Sequence, residues 1–365
     1  MSRTLSYDRY IFGSAVLIVV IGLVMIYSAS AIIALQKVGT DNPYYFLLRQ
    51  LAFVGAGSLL MVVLMHIDIE RLRDPRVIFG LFGALLVALV LVLFQPPING
   101  THRWFRLGAF HAQPSELAKL VLIIFLAAQL SLRESRVNEL TSTLLPIGGL
   151  LAIPVGLILL QPDFGTAAVI GAVAFGLFFA AGLSWKRIMI FSLAAIPAMT
   201  AVVLGAEYRR ERILAFLHPE ADPLGSGFQA MQSLIALGTG GLTGLGIGNG
   251  RQKLFFLPEP HTDFIFAIIG EELGFAGAAL LITLFALLVW RGARIAFRTD
   301  DAFIRYVALG IVLMIGLQAL INVSVALALL PTKGLPLPLV SYGGSSLMTN
   351  LAALGLLLNL SQHTD

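Results

Sequence analysis

Cysteine is absent from the sequence, which excludes a disulfide framework and any thiolate-ligated metal and leaves the redox compartment open. Charge is scarce: 12% of the 365 residues are Asp, Glu, Lys or Arg, against 58% hydrophobic residues, and the mean hydropathy is +0.90. A soluble domain of this length cannot bury so much apolar surface. The six histidines form no HExxH or comparable ligand set, so no zinc site is legible. There is no GxxxxGK[ST] loop, no strand-led dinucleotide fingerprint and no GxSxG elbow, which argues against nucleotide-binding and serine-hydrolase classes. The net charge of +4 is modest, and its basic residues sit mostly in short loops, a topology signal rather than a nucleic-acid footprint.

What the sequence has in abundance is long apolar runs without strand alternation. A helix crossing a bilayer needs about 20 mostly apolar residues, and residues 11–35, 46–66, 77–94, 115–132, 144–161, 166–183, 187–205, 263–290, 303–330 and 337–360 qualify. The expectation is an all-α polytopic membrane protein of about ten transmembrane helices, forming one integral membrane domain over 1–365. The first run is long and lacks a small-residue cleavage site, so it reads as a span rather than a signal peptide. Thirteen Lys and Arg residues fall in one set of flanks, from Arg3 and Arg9 through Arg71, Arg73, Arg76, Arg133, Arg136, Lys186 and Arg187 to Arg291, Arg294, Arg298 and Arg305. Only Lys37, Arg103, Arg106 and Lys333 fall in the other set, which predicts that both termini are cytoplasmic. The longest non-apolar stretch, 206–262 between helices 7 and 8, then faces outward, and loops of this size are usually functional.

The stretch LPEPHTDFIFAIIGEE brings Asp263 to the threshold of the eighth span. A charge at the edge of hydrocarbon is a functional candidate by default; the plainer reading, that Thr262 or Asp263 caps the following helix, has equal weight. Arg210 and Arg212 suit anionic headgroups or phosphates, although anchoring a helix end is the commoner use of such residues. Phe228–Leu237 reads as a short amphipathic helix, and the glycines from 238 to 250 permit close backbone approach to a ligand or helix. Glu116 and Lys119 lie three apart on the fourth span, a spacing that forms an ion pair, either as a buried brace or as part of a site. Arg103 and Arg106 flank Trp104 and Phe105 as an anchor or a headgroup-binding rim. Asp163 in QPDFGTA reads mainly as a turn-forming side chain. The proline- and glycine-rich PTKGLPLPLVSYGGSS predicts a shaped loop in which Lys333, Ser341 and Tyr342 face the same cavity as Asp263.

LPEPHTDFIFAIIGEELG, PTKGLPLPLVSYGGSS, QPSELAKL, QPDFGTA and FQAMQSLIALGTGGLTGLGIGNGRQK together resemble the SEDS family of cell-wall glycosyltransferases, over essentially the whole chain. PTKGLPLP and the GEELG after HTDFIFAII are more similar to its division branch, the FtsW type, than to the elongation branch, the RodA type. The resemblance implies polymerisation of lipid II into β-1,4-linked glycan strands on the outer face of the bacterial cytoplasmic membrane, with inversion and release of undecaprenyl diphosphate. It implies Asp263 as general base, with Arg210, Arg212, Lys119 and Lys333, in falling order, as candidates to hold diphosphate and Glu116 orienting Lys119. Arg103 and Ser341 join them as substrate-binding candidates. A divalent cation could assist the leaving group, but no acidic cluster of ligand spacing offers a metal site, and no other cofactor is evident. The implied partner is a single-span class B penicillin-binding protein, a transpeptidase, within a set of other division or elongation membrane proteins. Two other classes stay open: a flippase or transporter of lipid-linked precursors, and a noncatalytic division scaffold.

Overall fold

A computed structural model describes residues 7–37, 41–98, 100–108, 110–205, 207–217, 226–254, 256–332 and 334–363. The chain is a helical bundle, and each of the ten apolar runs contains a helix: α1 (Arg9–Lys37), α2 (Tyr45–Met65), α4 (Pro75–Leu93), α5 (Pro114–Ser131), α6 (Leu145–Leu160), α7 (Phe164–Ala180), α8 (Trp185–Leu204), α11 (Ile265–Arg298), α12 (Ala302–Ala326) and α13 (Gly344–Ser361). Short helix α3 (Ile69–Arg73) and a hairpin of β1 (Phe105–Leu107) and β2 (Phe110–Ala112) lie between them. Within the loop 206–262, α9 (Glu207–Leu217) and α10 (Ser226–Gly240) form, the latter over the expected amphipathic segment. Among the described residues, seven helices are long and apolar enough to cross a membrane, α7 is a shorter apolar helix, and the count of ten crossings rests on sequence. The last helix begins at Gly344 rather than at 337, because Pro336, Pro338 and Leu339 with φ 65 hold the preceding residues out of helix.

The centre of the bundle is α5, buried at every position from Pro114 to Leu130 except Leu117. A helix apolar on nearly every face belongs in such a place, and its charged residues, Glu116 and Lys119, are paired with each other. Close helix approach uses small residues: a Cβ on Gly57 of α2 would meet Leu351 Cδ1 of α13 at 2.6 Å, and one on Gly355 would meet Met61 O at 2.3 Å. At one end of the bundle the two ends of the described chain meet. Asp8 N donates to Ser361 Oγ at 3.1 Å and the Asp8 carboxylate pairs with Arg291 at 2.5 Å. Arg291 lies 26 residues beyond the start of α11, so at 1.5 Å per residue this end is at most about 40 Å from Asp263, at the other end of that helix.

The feature that shapes the Asp263 end is a break in α11. Gly274 has φ 68 and ψ −168, so the helix stops and restarts there. A break strands backbone carbonyls before it and amides after it, at about 1–3 kcal/mol for each buried group left unpaired. The glycine-rich segment supplies the missing partners. Leu245 N and Gly246 N donate to Glu271 O and Glu272 O, both at 3.0 Å, while Phe275 N and Ala276 N donate to Gly241 O and Leu242 O at 2.9 and 3.1 Å. Only glycine fits this insertion: a Cβ on Gly240 would lie 1.9 Å from Gly270 O, and one on Gly244, at φ +80, would lie 2.1 Å from Glu272 O. Of the two expectations for these glycines, close approach to a helix is the one seen.

The same insertion buries charge. Lys253 Nζ lies 2.6 Å from Glu272 Oε1, 2.9 Å from Ser28 Oγ of α1 and 2.8 Å from Gly248 O, and Ser28 Oγ donates to Glu272 Oε2 at 2.6 Å. Glu271 accepts from Arg251 N at 2.7 Å and Gln252 N at 3.2 Å. The loop is thereby fastened to α11 and α1 through groups that water cannot reach. Gly244→Ala and Gly248→Ala separate strain from collision, since both have positive φ but a Cβ on Gly248 meets nothing within 4 Å. In thermal unfolding of the detergent-solubilised protein, Gly248→Ala should cost about 1–2 kcal/mol and Gly244→Ala clearly more; equal losses would refute the insertion.

Candidate active site

Asp263 lies two residues before α11, and the helix starts at Ile265 behind Phe264 with no side-chain cap. The capping reading therefore fails for Asp263, while the Thr262 hydroxyl is directed back to Glu259 O at 3.0 Å. The backbone here is pinned at three successive carbonyls. Tyr342 N donates to His261 O at 2.9 Å, Ser341 Oγ donates to Thr262 O at 2.6 Å, and Asn322 Nδ2 donates to Asp263 O at 2.9 Å. Ser341 Oγ also accepts from Leu337 N at 2.8 Å, and Asn322 Nδ2 reaches Leu335 O at 2.9 Å, so the loop before α13 and the approach to α11 brace each other. A Cβ on Gly22 of α1 would sit 2.8 Å from Val340 Cα, which shows how closely that loop lies on the bundle.

The carboxylate itself is half-buried and makes no hydrogen bond or ion pair with any described residue. A Cβ on Gly334 would be 3.4 Å from Asp263 Oδ2, so glycine there keeps the approach open. Burial pushes the Asp263 carboxyl up to about 6; the Arg212 guanidinium opposes the rise and Glu259 adds to it. Arg212 is half-buried on α9 and donates from Nη1 to Thr332 O at 2.8 Å, which ties α9 to the loop that carries Ser341. Arg210 is exposed on the same helix. Lys333 lies outside the described residues. On one side the site is walled by aromatic rings: His261 stands 4.7 Å from Phe46 and 5.5 Å from Tyr342, and Phe46 meets Tyr342 edge-on at 5.1 Å.

The remaining sequence candidates are committed to structure around this centre. Glu116 and Lys119 form a fully buried ion pair at 2.8 Å, and Lys119 Nζ also donates to Gln318 Oε1 at 2.6 Å. Gln318 and Asn322 are one turn apart on α12, so the brace on α5 connects through that helix to the side chain that holds Asp263 O. Arg103 donates from Nε to Gln161 O at 2.7 Å and from Nη2 to Pro162 O at 2.5 Å, tying its loop to the α6–α7 turn. Asp163 caps α7, accepting from Thr166 N at 3.3 Å, and also accepts from Ser115 Oγ at 2.8 Å and Gln113 Nε2 at 2.9 Å. Among the described residues, no three His, Asp or Glu side chains gather as a metal ion would require. Sequence reasoning missed Asn322, Gln318, Ser28, Lys253 and the Glu271–Glu272 pair. Adjacent glutamates inside an apolar helix were the available signal for the last of these.

Residues 8–365 match the family described as Cell cycle protein, FTSW_RODA_SPOVE. The probable peptidoglycan glycosyltransferase FtsW of Geobacter metallireducens is 44% identical over 97% of this chain and 94% of its own length. Stage V sporulation protein E of Bacillus subtilis is 42% identical over 100% of this chain and 99% of its own. Among solved structures, a chain from a peptidoglycan synthase complex, reported for structural coordination of polymerization and crosslinking, superposes with a TM-score of 0.79 at 35% identity, covering 98% of both chains. The rod shape determining protein RodA of Thermus thermophilus does so with a TM-score of 0.72 at 32% identity, over 99% of this chain and 98% of that one. The chain belongs to the FtsW/RodA/SpoVE family of cell cycle proteins.

Proposed function

We propose that this chain is a peptidoglycan glycosyltransferase that polymerises lipid II, with Asp263 as its general base. The observation that carries the reading is an unpaired, half-buried carboxylate pushed up to about 6, beside Arg212, in a protein whose relatives bear the name of that activity. A base needs a pKa near the working pH and an unobstructed face. Asp263 takes the proton from the 4-hydroxyl of the acceptor sugar as its oxygen attacks the anomeric carbon of the donor. The bond to the donor's diphosphate breaks, the electron pair leaves with the lipid diphosphate, and attack from the opposite face inverts the centre. Arg212, aided by Arg210 and Lys333, balances the charge that develops on the departing diphosphate. Glu116 and Lys119 act as positioning residues through α12. Among the described residues no acidic cluster gathers to hold a divalent cation, and the diphosphate oxygens of the substrate would supply ligands for one.

In this reading α7, α8 and α13 complete ten crossings, both termini are cytoplasmic, and Asp263 faces outward in the bacterial cytoplasmic membrane. The meeting of Asp8, Arg291 and Ser361 at the other end of α11 from Asp263 supports that orientation. The partner is a class B penicillin-binding transpeptidase, a reading supported by the likeness to a chain of a synthase complex that couples polymerization and crosslinking. The resemblance to FtsW relatives favours septal synthesis.

Purified protein with its transpeptidase partner should make glycan strands from lipid II, and Asp263→Asn should lower the rate by about 10²–10⁴-fold with the fold intact. Equal rates would remove Asp263 from the chemistry, and lipid II transfer across vesicles without polymer would favour a flippase. The wild-type rate should fall with acid through an apparent pKa of about 6, because protonation removes the base. Arg212 lowers that pKa, so Arg212→Gln should move the acid limb to higher pH, read from rates at saturating lipid II; a limb that stays in place would show that Arg212 does not face the carboxylate.

A further inference from the structure

A second basic cluster lies where the β1–β2 hairpin and α2 meet the start of α13. Arg106 and His111 are cross-strand partners in the β1–β2 hairpin, in the register Arg106↔His111, and both are exposed. Arg49, on the first turns of α2, adds a second guanidinium. Its Nη1 donates to Tyr45 Oη at 2.8 Å and its guanidinium lies 5.3 Å from the Tyr45 ring centre. Gln50, the next residue, donates to Ser341 O at 3.3 Å and accepts from Gly343 N at 3.4 Å, which brings this end of α2 to the turn whose Ser345 holds His111 O. Burial, then Arg49, then Arg106 hold the His111 imidazole below its ordinary range, so at neutral pH it is an uncharged hydrogen-bonding group. None of the three has an ion-pair partner among the described residues.

The hairpin is fixed where these cations meet the start of α13. Ser345 Oγ donates to His111 O at 3.2 Å and accepts from Gln113 N at 3.0 Å. The 18-residue α13 starts behind Gly343 with no side-chain cap, so its positive end adds to the same field. Burial raises the Tyr342 phenol while Arg49 pulls it down, so the cluster reaches the wall formed by Phe46, His261 and Tyr342. Phe46, three residues before Arg49 on α2, makes the ring contacts with His261 and Tyr342, so the rings lie between α2 and the approach to α11.

We propose that Arg49, Arg106 and His111 form a second diphosphate-binding site, which holds the acceptor lipid while Arg212 faces the diphosphate of the donor. The inference rests on the glycosyltransferase reading for its assignment to the acceptor. The chemistry fixes the order of the two sites. The donor's diphosphate is attached to the carbon under attack, so it must lie beside the base. The acceptor's reacting hydroxyl is on its outer sugar, one disaccharide from its own diphosphate, so that diphosphate must be held away from the base. A cluster on α2 and the hairpin, with the rings of Phe46, His261 and Tyr342 between α2 and the approach to α11, meets that requirement. Arginine pairs with phosphate oxygens through parallel hydrogen bonds, and two arginines with an imidazole suit a diphosphate.

The test uses the full chain with its transpeptidase partner and the variant Arg49→Gln/Arg106→Gln, with Arg106→Gln alone as an exposed substitution that cannot disturb the core. Glycan extension is followed with a preformed lipid-linked glycan as donor and lipid II as acceptor, each varied in turn. The double variant should raise the KM for lipid II about tenfold or more, with the donor's KM and the saturated rate within about twofold; Arg106→Gln should move KM the same way by less. Farnesyl diphosphate should compete with lipid II and inorganic diphosphate should not. An unchanged KM for lipid II, equal loss for both substrates, or equal competition by inorganic diphosphate would overturn the proposal. Farnesyl diphosphate binding, measured directly, should fall from two equivalents on wild type to one on the double variant. If no polymer forms but that loss is seen, the anion site stands and the glycosyltransferase reading falls; if both proteins bind equally, the site falls whatever the activity.

Discussion

A carboxylate at the edge of hydrocarbon with no partner of its own is unfavourable, and the structure around Asp263 is arranged to hold it there. The cost of burial is expressed in a carboxyl pushed up to about 6 rather than neutralised by a salt bridge. What restrains the residue is its backbone. The carbonyls of His261, Thr262 and Asp263 are held by Tyr342, Ser341 and Asn322, from two separate parts of the chain. Fixing the main chain leaves the side chain unobstructed, which is the arrangement a general base requires.

The segment that leads into α11 is fixed in turn by the broken helix. The insertion of 241–246 at Gly274 fixes the loop to α11, and the buried Lys253–Glu272 pair with Ser28 fixes both to α1. Removing one member of such a pair leaves an uncompensated buried charge, which costs about 3–5 kcal/mol. The loop that carries Arg210 and Arg212 is therefore attached to the same rigid base as Asp263. On the other side, Glu116, Lys119 and Gln318 secure the face of α12 that presents Asn322.

Hydropathy made the fold class and all ten helical segments legible, because a run of apolar residues longer than a soluble helix has few alternatives. The polar candidates were legible only as residues out of place. Asp263 was found that way, and its role as cap or base was decided by a helix that starts two residues later. Arg103, Ser341 and Lys119 were found for the same reason, yet Arg103 and Ser341 donate to backbone carbonyls and Lys119 pairs with a buried glutamate. No local pattern separates those uses, since the partners lie 58 residues away for Arg103 and 79 for Ser341 with Thr262. The broken helix was hidden for a related reason. A glycine run states that backbones come close without saying which one, and GEELG reads as continuous helix until Gly274 is seen at φ 68.

The central claim is that Asp263 is an unpaired carboxylate poised near neutrality. Infrared difference titration of the wild-type protein against Asp263→Asn, with ¹³C-labelled aspartate, reads that single group. The account predicts a carboxylate band that disappears on acidification with a midpoint of about 6. A midpoint near 4, the ordinary value for an exposed aspartate, would contradict it.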